Sequence, residues 1–307
     1  MKKGPLVVIV GPTAVGKTAL SIQIAEALDG EIVSADSRQV YRGMDIGTAK
    51  ATPEERARVP HHLLDVVTPA ETLTLAEYQR LAYAAIDDIL TRGKLPLLVG
   101  GTGQYVRAVV EGWQVPPVPP QPRLRAVLER LTEACGPQWL HQWLAVLDPE
   151  AARLIDPRNV RRTIRALEVI LRTGRPFSVQ RGKRPPPYRV LQIGLTMPRP
   201  LLYARIDERV ERMIAQGLVE ETRRLAEAYG WDVPAMSGLG YKQIGAYLRG
   251  ETTLEEAIAQ IKRETRRFVR HQANWFRRDD PAIRWFDVSR TPPEEIITFV
   301  AREVRQG

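Results

Sequence analysis

The sequence predicts an α/β protein in which helices flank a parallel sheet and a basic helical domain is inserted. Three observations predict it. An apolar strand at residues 6–10 runs into a glycine loop and a helix, strands and helices then alternate to about residue 110, and two proline-rich runs enclose a charged stretch. This alternation is typical of parallel sheets covered on both faces. We expect core segments at residues 1–114 and 188–307, with the insertion at 115–187.

The first strand leads into the most specific motif of the chain, Gly-Pro-Thr-Ala-Val-Gly-Lys-Thr at residues 11–18. It matches the phosphate-binding pattern G-x-x-x-x-G-K-[ST] at every fixed position. Glycines let the backbone N–H groups turn toward an anion, the lysine adds a positive charge, and the last hydroxyl is placed to ligate Mg²⁺. The helix expected over residues 18–28 points its positive end at the same anion. The predicted phosphate site therefore comprises Gly11, Pro12, Thr13, Ala14, Val15, Gly16, Lys17 and Thr18.

The loop by itself does not distinguish a nucleoside triphosphate from another diphosphate. The elements that follow it predict where a second reactant binds. We expect strands at residues 31–35, 95–99 and 188–195, and helices at 77–90, 200–228 and 254–276. Ligands of parallel sheets bind beyond the carboxyl ends of the strands. Asp36 and the Gly-Gly-Thr-Gly turn at residues 100–103 fall at such ends, beside the phosphate loop.

Two residues at these strand ends have alternative interpretations. Asp36 could hold Mg²⁺ through water or accept a proton from a nucleophile, but it could also cap the turn that follows it. The third strand does not end in the Asp that usually positions Mg²⁺ and water in nucleotide-hydrolysing P-loop proteins. Thr102 could present its hydroxyl to the site, or the glycines around it could form a simple tight turn.

Arginine and histidine residues supply further candidates. Arg205, Arg209 and Arg212 share one helix face and could neutralise a diphosphate leaving group. A solvated face paired with neighbouring acidic residues is the alternative, and we favour it for Arg205 and Arg212. The adjacent His61 and His62 point apart and lack a third ligand at the usual spacing, so we favour a structural role over a metal site.

Charge is distributed unevenly along the 307 residues, which carry a net charge of +9. Residues 1–110 are balanced, whereas residues 111–307 hold 33 basic and 24 acidic side chains. Clustered basic helices favour a nucleic-acid partner over simple solvated surface. The single cysteine, Cys135, excludes an intrachain disulfide and a cysteine-based zinc site. No apolar run approaches the ~20 residues of a membrane span, so we expect a cytoplasmic protein without a membrane partner.

Seven sequence blocks together resemble one family. Besides residues 11–18 they lie at 34–50, 60–65, 100–103, 165–168, 240–243 and 270–277, and they span nearly the whole chain. The chain resembles the bacterial tRNA dimethylallyltransferases, also called isopentenyl-diphosphate:tRNA transferases. The block at residues 34–50 is far more diagnostic than the phosphate loop. Arg161 departs from the glutamine common in the family, and Gln104 departs from leucine.

The resemblance implies a P-loop NTPase-like fold and transfer of a dimethylallyl group from dimethylallyl diphosphate to N6 of an adenine. That adenine is position 37, beside the anticodon, in tRNAs that read codons beginning with U. Asp36 would be the general base, Thr18 would serve Mg²⁺, and Thr102 and Arg209 would help to hold the substrate. The resemblance also implies a monomer that contacts the tRNA anticodon stem-loop through Asp36, Ser37, Arg38, Gln39, Thr102, Arg125, Arg161, Arg162, Thr163, Ile164, Arg165, Gly238, Leu239, Gly240, Tyr241, Lys242 and Gln243.

Two other functions remain open at the level of the sequence. A P-loop kinase of a nucleotide or small metabolite would use ATP on the same loop, but the strand-end Asp is missing. A non-catalytic RNA-binding ATPase would explain the charge, but it would leave Asp36 and residues 100–103 without a role. The chemistry of prenyl transfer fits the residues. An allylic diphosphate ionises when Lys17, backbone N–H groups, Mg²⁺ and Arg209 neutralise its leaving group. An adenine amine sheds a proton as it bonds, which calls for a nearby base.

Overall fold

The computed structural model of the chain describes residues 3–184 and 186–306. It divides into two compact units, one formed by residues up to Val110 and from Pro186 onward, the other by Glu111–Pro185. The predicted insertion at residues 115–187 overlaps the second unit, which begins and ends slightly earlier. Pro185, which we assign to the second proline-rich linker, lies outside the described residues.

The strands formed by the described residues are β1 (Pro5–Val10), β2 (Gly30–Ser34), β3 (His61–His62), β4 (Leu95–Val99), β5 (Trp113–Gln114), β6 (Gly182–Lys183), β7 (Arg189–Thr196) and β8 (Ile283–Asp287). In the first unit six of them form one sheet in the order β3-β2-β4-β1-β7-β8. All neighbouring strands in this sheet pair in parallel. The predicted α/β class is therefore confirmed, and the loop between β1 and the next helix gives the sheet a P-loop NTPase-like architecture.

The helices are α1 (Lys17–Ala27), α2 (Pro53–Arg58), α3 (Leu75–Thr91), α4 (Gly103–Val110), α5 (Pro122–Cys135), α6 (Pro137–Leu147), α7 (Pro149–Leu154), α8 (Val160–Thr173), α9 (Arg199–Ala215), α10 (Leu218–Tyr229), α11 (Tyr241–Leu248), α12 (Leu254–Ala273) and α13 (Pro293–Arg305). Short 3₁₀ turns lie at Ser178–Gln180 and Pro234–Ser237.

Two apolar cores lie on the two faces of the sheet, because successive strand residues point to opposite sides. Leu6, Val8 and Val10 of β1 pack into one core with residues of α3 and α4. Val7 and Ile9 pack into the other with residues of α1, α9 and α13. The near-continuous apolar sequence of β1 follows from burial on both faces.

The prediction of a single helix over residues 200–228 is wrong. Helix α9 ends at Ala215 and α10 begins at Leu218, with Gly217 between them at a φ of +100°. Glycine adopts this left-handed conformation without the steric cost of a Cβ atom, and it ends many helices for that reason. The break turns the predicted long helix into two shorter ones.

The second unit is helical, as predicted, and consists of α5 to α8 with the small antiparallel pair β5–β6. Its own apolar core includes Leu128, Leu140, Leu144 and Leu167. Among the residues that the structure describes, no helix of either unit is both long enough and apolar enough to cross a membrane.

Candidate active site

A cavity of about 430 Å³ lies at the carboxyl ends of β1, β2 and β4 in the first unit. The phosphate loop contributes Gly16, Lys17 and Thr18 to its wall, and the segment after β2 contributes Asp36. The sequence separates these residues by about twenty positions, yet the parallel strands bring them to one edge of the sheet. The cavity therefore joins a phosphate site to a carboxylate.

The conformation of the phosphate loop depends on its two glycines. Gly11 has a φ of +148°, and a Cβ atom on it would lie 2.6 Å from the Leu195 carbonyl oxygen. Gly16 has a φ of +102° and directly precedes α1. Ala14 also takes a positive φ, 65°, which is uncommon for a residue other than glycine. The loop is thus held in a special backbone conformation beside the positive end of α1.

The Lys17 side chain folds back onto this loop and contacts its backbone. Its Nζ donates hydrogen bonds to the carbonyl oxygens of Gly11 at 3.0 Å and Pro12 at 2.8 Å. Burial lowers the pKa of Lys17 to about 8, although the nearby Asp36 carboxylate opposes the shift and Arg209 adds to it. A bound anion would restore the charge, since it favours the protonated amine.

The Asp36 carboxylate is engaged through one oxygen. Its Oδ1 accepts hydrogen bonds from the backbone N–H groups of Arg38 at 2.8 Å and Gln39 at 3.4 Å. The other oxygen, Oδ2, has no hydrogen-bond partner among residues 3–184 and 186–306. The capping interpretation therefore describes Oδ1, while Oδ2 leaves room for a chemical role.

The glycine-rich turn after β4 holds the segment that carries Asp36. The Thr102 hydroxyl oxygen accepts a hydrogen bond from the Ser37 N–H at 3.0 Å. A Cβ atom on Gly100 would lie 2.1 Å from the Ala35 carbonyl oxygen, so only glycine permits this close approach. Thr102 thus holds the segment after β2 through a hydrogen bond to its backbone. This contact is additional to the predicted contact of Thr102 with the substrate.

Arg205, Arg209 and Arg212 all line the cavity. Burial lowers the pKa of Arg209, and the Asp36 carboxylate opposes this shift. We expected Arg205 and Arg212 to pair with acidic residues of the same helix, and this is wrong for two of those residues. Asp207 pairs with Arg266 of α12, and Glu211 pairs with Lys262 of α12. The sequence alone could not show that a second helix takes these carboxylates.

The two histidines form the edge strand β3. His62 Nε2 lies 2.8 Å from a Glu31 carboxylate oxygen, and His61 Nδ1 lies 2.7 Å from the Val59 carbonyl oxygen. Among the described residues, no group of three His, Cys, Asp or Glu side chains could hold a metal ion. The structural role that we favoured fits these contacts.

Two of the predicted tRNA contacts at residues 238–243 have buried side chains. The Tyr241 hydroxyl donates to Glu221 at 2.6 Å, and the Gln243 side chain accepts the Gly240 N–H at 2.9 Å. Their side chains therefore shape the turn instead of facing a partner. Leu239 and Lys242 are exposed and keep the predicted contact possible.

A similar division applies to the predicted contacts in the second unit. The buried Glu168 carboxylate accepts hydrogen bonds from Arg125 at 2.8 Å and from Arg165 at 2.6 Å. Thr163 and Ile164 are buried, so side-chain contacts of these two with tRNA do not fit the structure. Arg161 and Arg162 are exposed, and their contact with tRNA stays a prediction.

Sequence reasoning missed one residue that contacts the site. Gln272 of α12 is buried, and its side chain bonds both Thr13 of the phosphate loop and Gly101 of the glycine-rich turn. Gln272 belongs to the block at residues 270–277 that carries the resemblance. Its place in that block is the feature of the sequence that could have indicated a role in the site.

Comparisons with known proteins agree with this geometry. A family model described as IPP transferase matches residues 39–279, and one described as isopentenyl transferase matches residues 4–73. A tRNA dimethylallyltransferase of Roseiflexus sp. (strain RS-1) is 61% identical over 275 residues, which cover 89% of this chain and 90% of that protein.

Two solved structures are similar along nearly the whole chain. The full-length tRNA isopentenylpyrophosphate transferase from Bacillus halodurans is 44% identical, with a TM-score of 0.73, covering 98% of this chain and 97% of that one. A eukaryotic dimethylallyltransferase described as acting on tRNA is 26% identical, with a TM-score of 0.85, covering 99% of this chain and 80% of that one.

Proposed function

The chain belongs to the tRNA dimethylallyltransferase family, and we propose that it transfers the dimethylallyl group of dimethylallyl diphosphate to N6 of adenine 37 in tRNA. The chain is a prenyltransferase that modifies adenine in tRNA. The donor, the position beside the anticodon and the preference for tRNAs that read codons beginning with U are the finer parts of the proposal, and the sequence resemblance supports them.

One observation carries the chemical part of the proposal: a phosphate loop and the Asp36 carboxylate line the same cavity. A diphosphate held by the loop places its allylic carbon in the space that the carboxylate also borders. No acidic residue follows β4, which ends at Val99 before two glycines. A site with this composition suits a carbon electrophile better than hydrolysis or phosphoryl transfer.

The positive groups of the cavity stabilise the leaving diphosphate. Lys17, Arg209 and the N–H groups at the start of α1 surround the phosphate site, and charge develops on the diphosphate as the bond from carbon to oxygen breaks. Arg209 is partly buried, so water screens its charge less than that of an arginine on the open surface.

Asp36 accepts the proton that the acceptor loses. The adenine N6 attacks the allylic carbon, the bond from that carbon to the diphosphate oxygen breaks with its electron pair, and a proton passes from N6 to the carboxylate. The oxygen without a protein partner, Oδ2, is the one available for this transfer, while Oδ1 fixes the orientation of the group.

The donor set at Thr18 fits Mg²⁺. This ion keeps several waters and is bound in part by substrate phosphates. In P-loop proteins the Ser or Thr hydroxyl of the loop is one of its ligands, and the Thr18 residue in the cavity wall supplies that hydroxyl. When bound, Mg²⁺ would neutralise part of the diphosphate charge. Thr18 would hold the ion, and Lys17 and Arg209 would supply the remaining charge.

The target base must leave its stack to reach this cavity, and basic, partly exposed residues suit an RNA loop. We assign the tRNA contacts to Arg38, Leu239 and Lys242 in the first unit and to Arg161 and Arg162 in the second. The residues that line the cavity all belong to the first unit. The monomeric state is the part of the proposal that rests on the sequence resemblance.

Purified protein with dimethylallyl diphosphate and a tRNA anticodon stem-loop carrying A37 tests the proposal. We expect N6-(dimethylallyl)adenosine and an equal amount of diphosphate, with no product from the same stem-loop carrying G37. ATP with candidate acceptors is the comparison for the kinase alternative. Transfer of the γ-phosphate as the main activity would overturn the proposal.

A further inference from the structure

Gln272, in the last turn of α12, connects two loops that lie far from it in the sequence. Its Oε1 accepts a hydrogen bond from the Thr13 N–H at 2.9 Å, and its Nε2 donates to the Gly101 carbonyl oxygen at 3.1 Å. The residue is 5% exposed, so these bonds are shielded from water. Both ends of one amide are therefore occupied by loops of the cavity.

The packing around the amide is close. A Cβ atom on Gly101 would lie 2.3 Å from Gln272 Nε2, and one on Gly103 would lie 2.2 Å from the Trp275 ring. The last turn of α12 and the residues just after it thus rest directly on the glycine-rich turn. Two of the glycines in that turn are explained by this contact.

The two loops hold different partners of the proposed reaction. Thr13 belongs to the loop that binds the diphosphate. Gly101 precedes Thr102, which fixes the Ser37 backbone next to Asp36. We propose that Gln272 is a positioning residue whose side-chain amide sets the distance between the diphosphate loop and the segment that carries the base. The assignment of the two partners rests on the proposed function.

The chemistry of the amide fits this task. The Thr13 N–H needs an acceptor and the Gly101 carbonyl needs a donor, and a neutral amide supplies both. A carboxylate would meet the Gly101 carbonyl with a second acceptor, and an apolar side chain would leave both backbone groups without a partner. An error of about 1 Å in such positioning can lower a reaction rate about 100-fold.

The first variant is Gln272→Met, which keeps the length and volume of the side chain but removes both hydrogen bonds. Thr265→Val is the matched control, because it removes a buried hydroxyl from the same helix without touching either loop. We expect Gln272→Met to lower kcat about 10- to 100-fold at temperatures well below its Tm, with the KM for tRNA changed less than about threefold. An unchanged kcat in folded Gln272→Met, or an equal loss in Thr265→Val, would overturn the proposal.

The second variant, Gln272→Glu, gives a signature in pH. A protonated carboxyl both donates and accepts, as the amide does, whereas the ionised form cannot donate to Gly101. The activity of Gln272→Glu relative to that of the unaltered protein should therefore rise as the pH falls through the pKa of the new carboxyl. A constant ratio across that range would show that the donor to Gly101 has no part in positioning.

Binding of inorganic diphosphate separates this proposal from the proposed function. If the unaltered protein prenylates no tRNA, the proposed function fails, but the effect of Gln272 on the loop is still measurable by calorimetry. We expect Gln272→Met to weaken diphosphate binding about tenfold and Thr265→Val to leave it unchanged. Equal affinities of Gln272→Met and the unaltered protein would contradict a positioning role even then.

Discussion

At the scale of single residues, the proposed function gives the one carboxylate of Asp36 two tasks. Oδ1 accepts backbone N–H groups of the turn after β2, and Oδ2 is available for a proton. The fixed oxygen orients the free one, which in the proposed reaction would reduce the reorganisation needed when the acceptor amine binds. The capping and catalytic interpretations of the sequence are therefore compatible, because they concern different atoms.

Replacing Asp36 with Asn separates these tasks. Asn keeps an oxygen for the turn but no longer accepts the proton, so the transfer rate should fall about 10²- to 10⁴-fold with little change in Tm or in tRNA affinity. The rate is measured at saturating tRNA and allylic diphosphate over a Mg²⁺ series. Recovery at high Mg²⁺ would assign Asp36 to the metal, and near-normal turnover would remove it from the chemistry.

Lys17 should make diphosphate binding depend on pH. Its pKa of about 8 in the free protein means that the amine loses its proton above that pH. Binding of the anion must then take up a proton, so the affinity should fall up to about tenfold per pH unit above pH 8. Calorimetry with inorganic diphosphate between about pH 7 and about pH 9.5 measures this dependence. Lys17→Arg stays charged throughout and should lack it, and a flat profile in the unaltered protein would contradict the prediction.

At the scale of elements, the sequence predicts the central strands better than the edges of the sheet. β1 and β4 are apolar and almost entirely buried, and β2 and β7 each contain a short buried apolar segment, so their pattern is clear. β3 has two residues, and β8 reads Ile-Arg-Trp-Phe-Asp with charges in it, because an edge strand is only half covered. Whether these two segments form strands depends on their pairing with a neighbour that is distant in the sequence, and the local sequence pattern does not contain that information.

The same limit applies to the candidate site. The phosphate loop and Asp36 follow from strand ends and known loop geometry. The contact of Gln272 with Thr13 joins residues 259 positions apart, and the ion pairs of α9 with α12 are equally remote in sequence. Arg125 and Arg165 are among the tRNA contacts that the resemblance implies, and the sequence does not show the buried carboxylate that binds them both.

That carboxylate, Glu168 of α8, should be important for the stability of the second unit. It accepts hydrogen bonds from Arg125, Arg165 and the Gln121 N–H, and Arg165 also donates to the Val118 carbonyl at 2.8 Å. Glu168→Gln leaves two guanidinium groups without their counter-charge. We expect the free energy of unfolding to fall by about 3 kcal/mol in denaturant titrations. The exposed Glu133→Gln is the control, and equal stabilities of the two variants would contradict this role.

The pH dependence of stability should show the same ion pair. Burial alone would raise the pKa of Glu168, but hydrogen bonds from Arg125, Gln121 and Arg165 outweigh it and hold the pKa at about 2, below its ordinary 4.5. The stabilisation is therefore present above about pH 4.5 and is lost as the pH falls toward 2. Unfolding followed by a probe in the second unit should lose this acid dependence in Glu168→Gln.

At the scale of the whole molecule, the net charge of +9 is carried by residues 111–307. Part of the positive charge is neutralised within the protein, because carboxylates form ion pairs with Arg125, Arg165, Lys262 and Arg266. The charge that a polyanion can meet is therefore smaller than the composition indicates. Arg161 and Arg162, at the exposed start of α8, belong to the fraction that no carboxylate neutralises among the described residues.

Neutralising these two arginines tests whether their position or only the total charge matters. Each phosphate contact contributes about 0.7–0.9 to the slope of log affinity against log salt concentration. Arg161→Gln with Arg162→Gln should therefore reduce the slope for tRNA binding by up to about two such units, while the affinity for dimethylallyl diphosphate stays the same. Arg172→Gln with Arg175→Gln removes equal charge from exposed positions at the other end of the helix and just beyond it.

If both pairs reduce the slope equally, tRNA responds to the total charge of the molecule. If only the first pair does, the start of α8 contacts the tRNA backbone. An unchanged slope in the first pair would assign Arg161 and Arg162 to solvated surface.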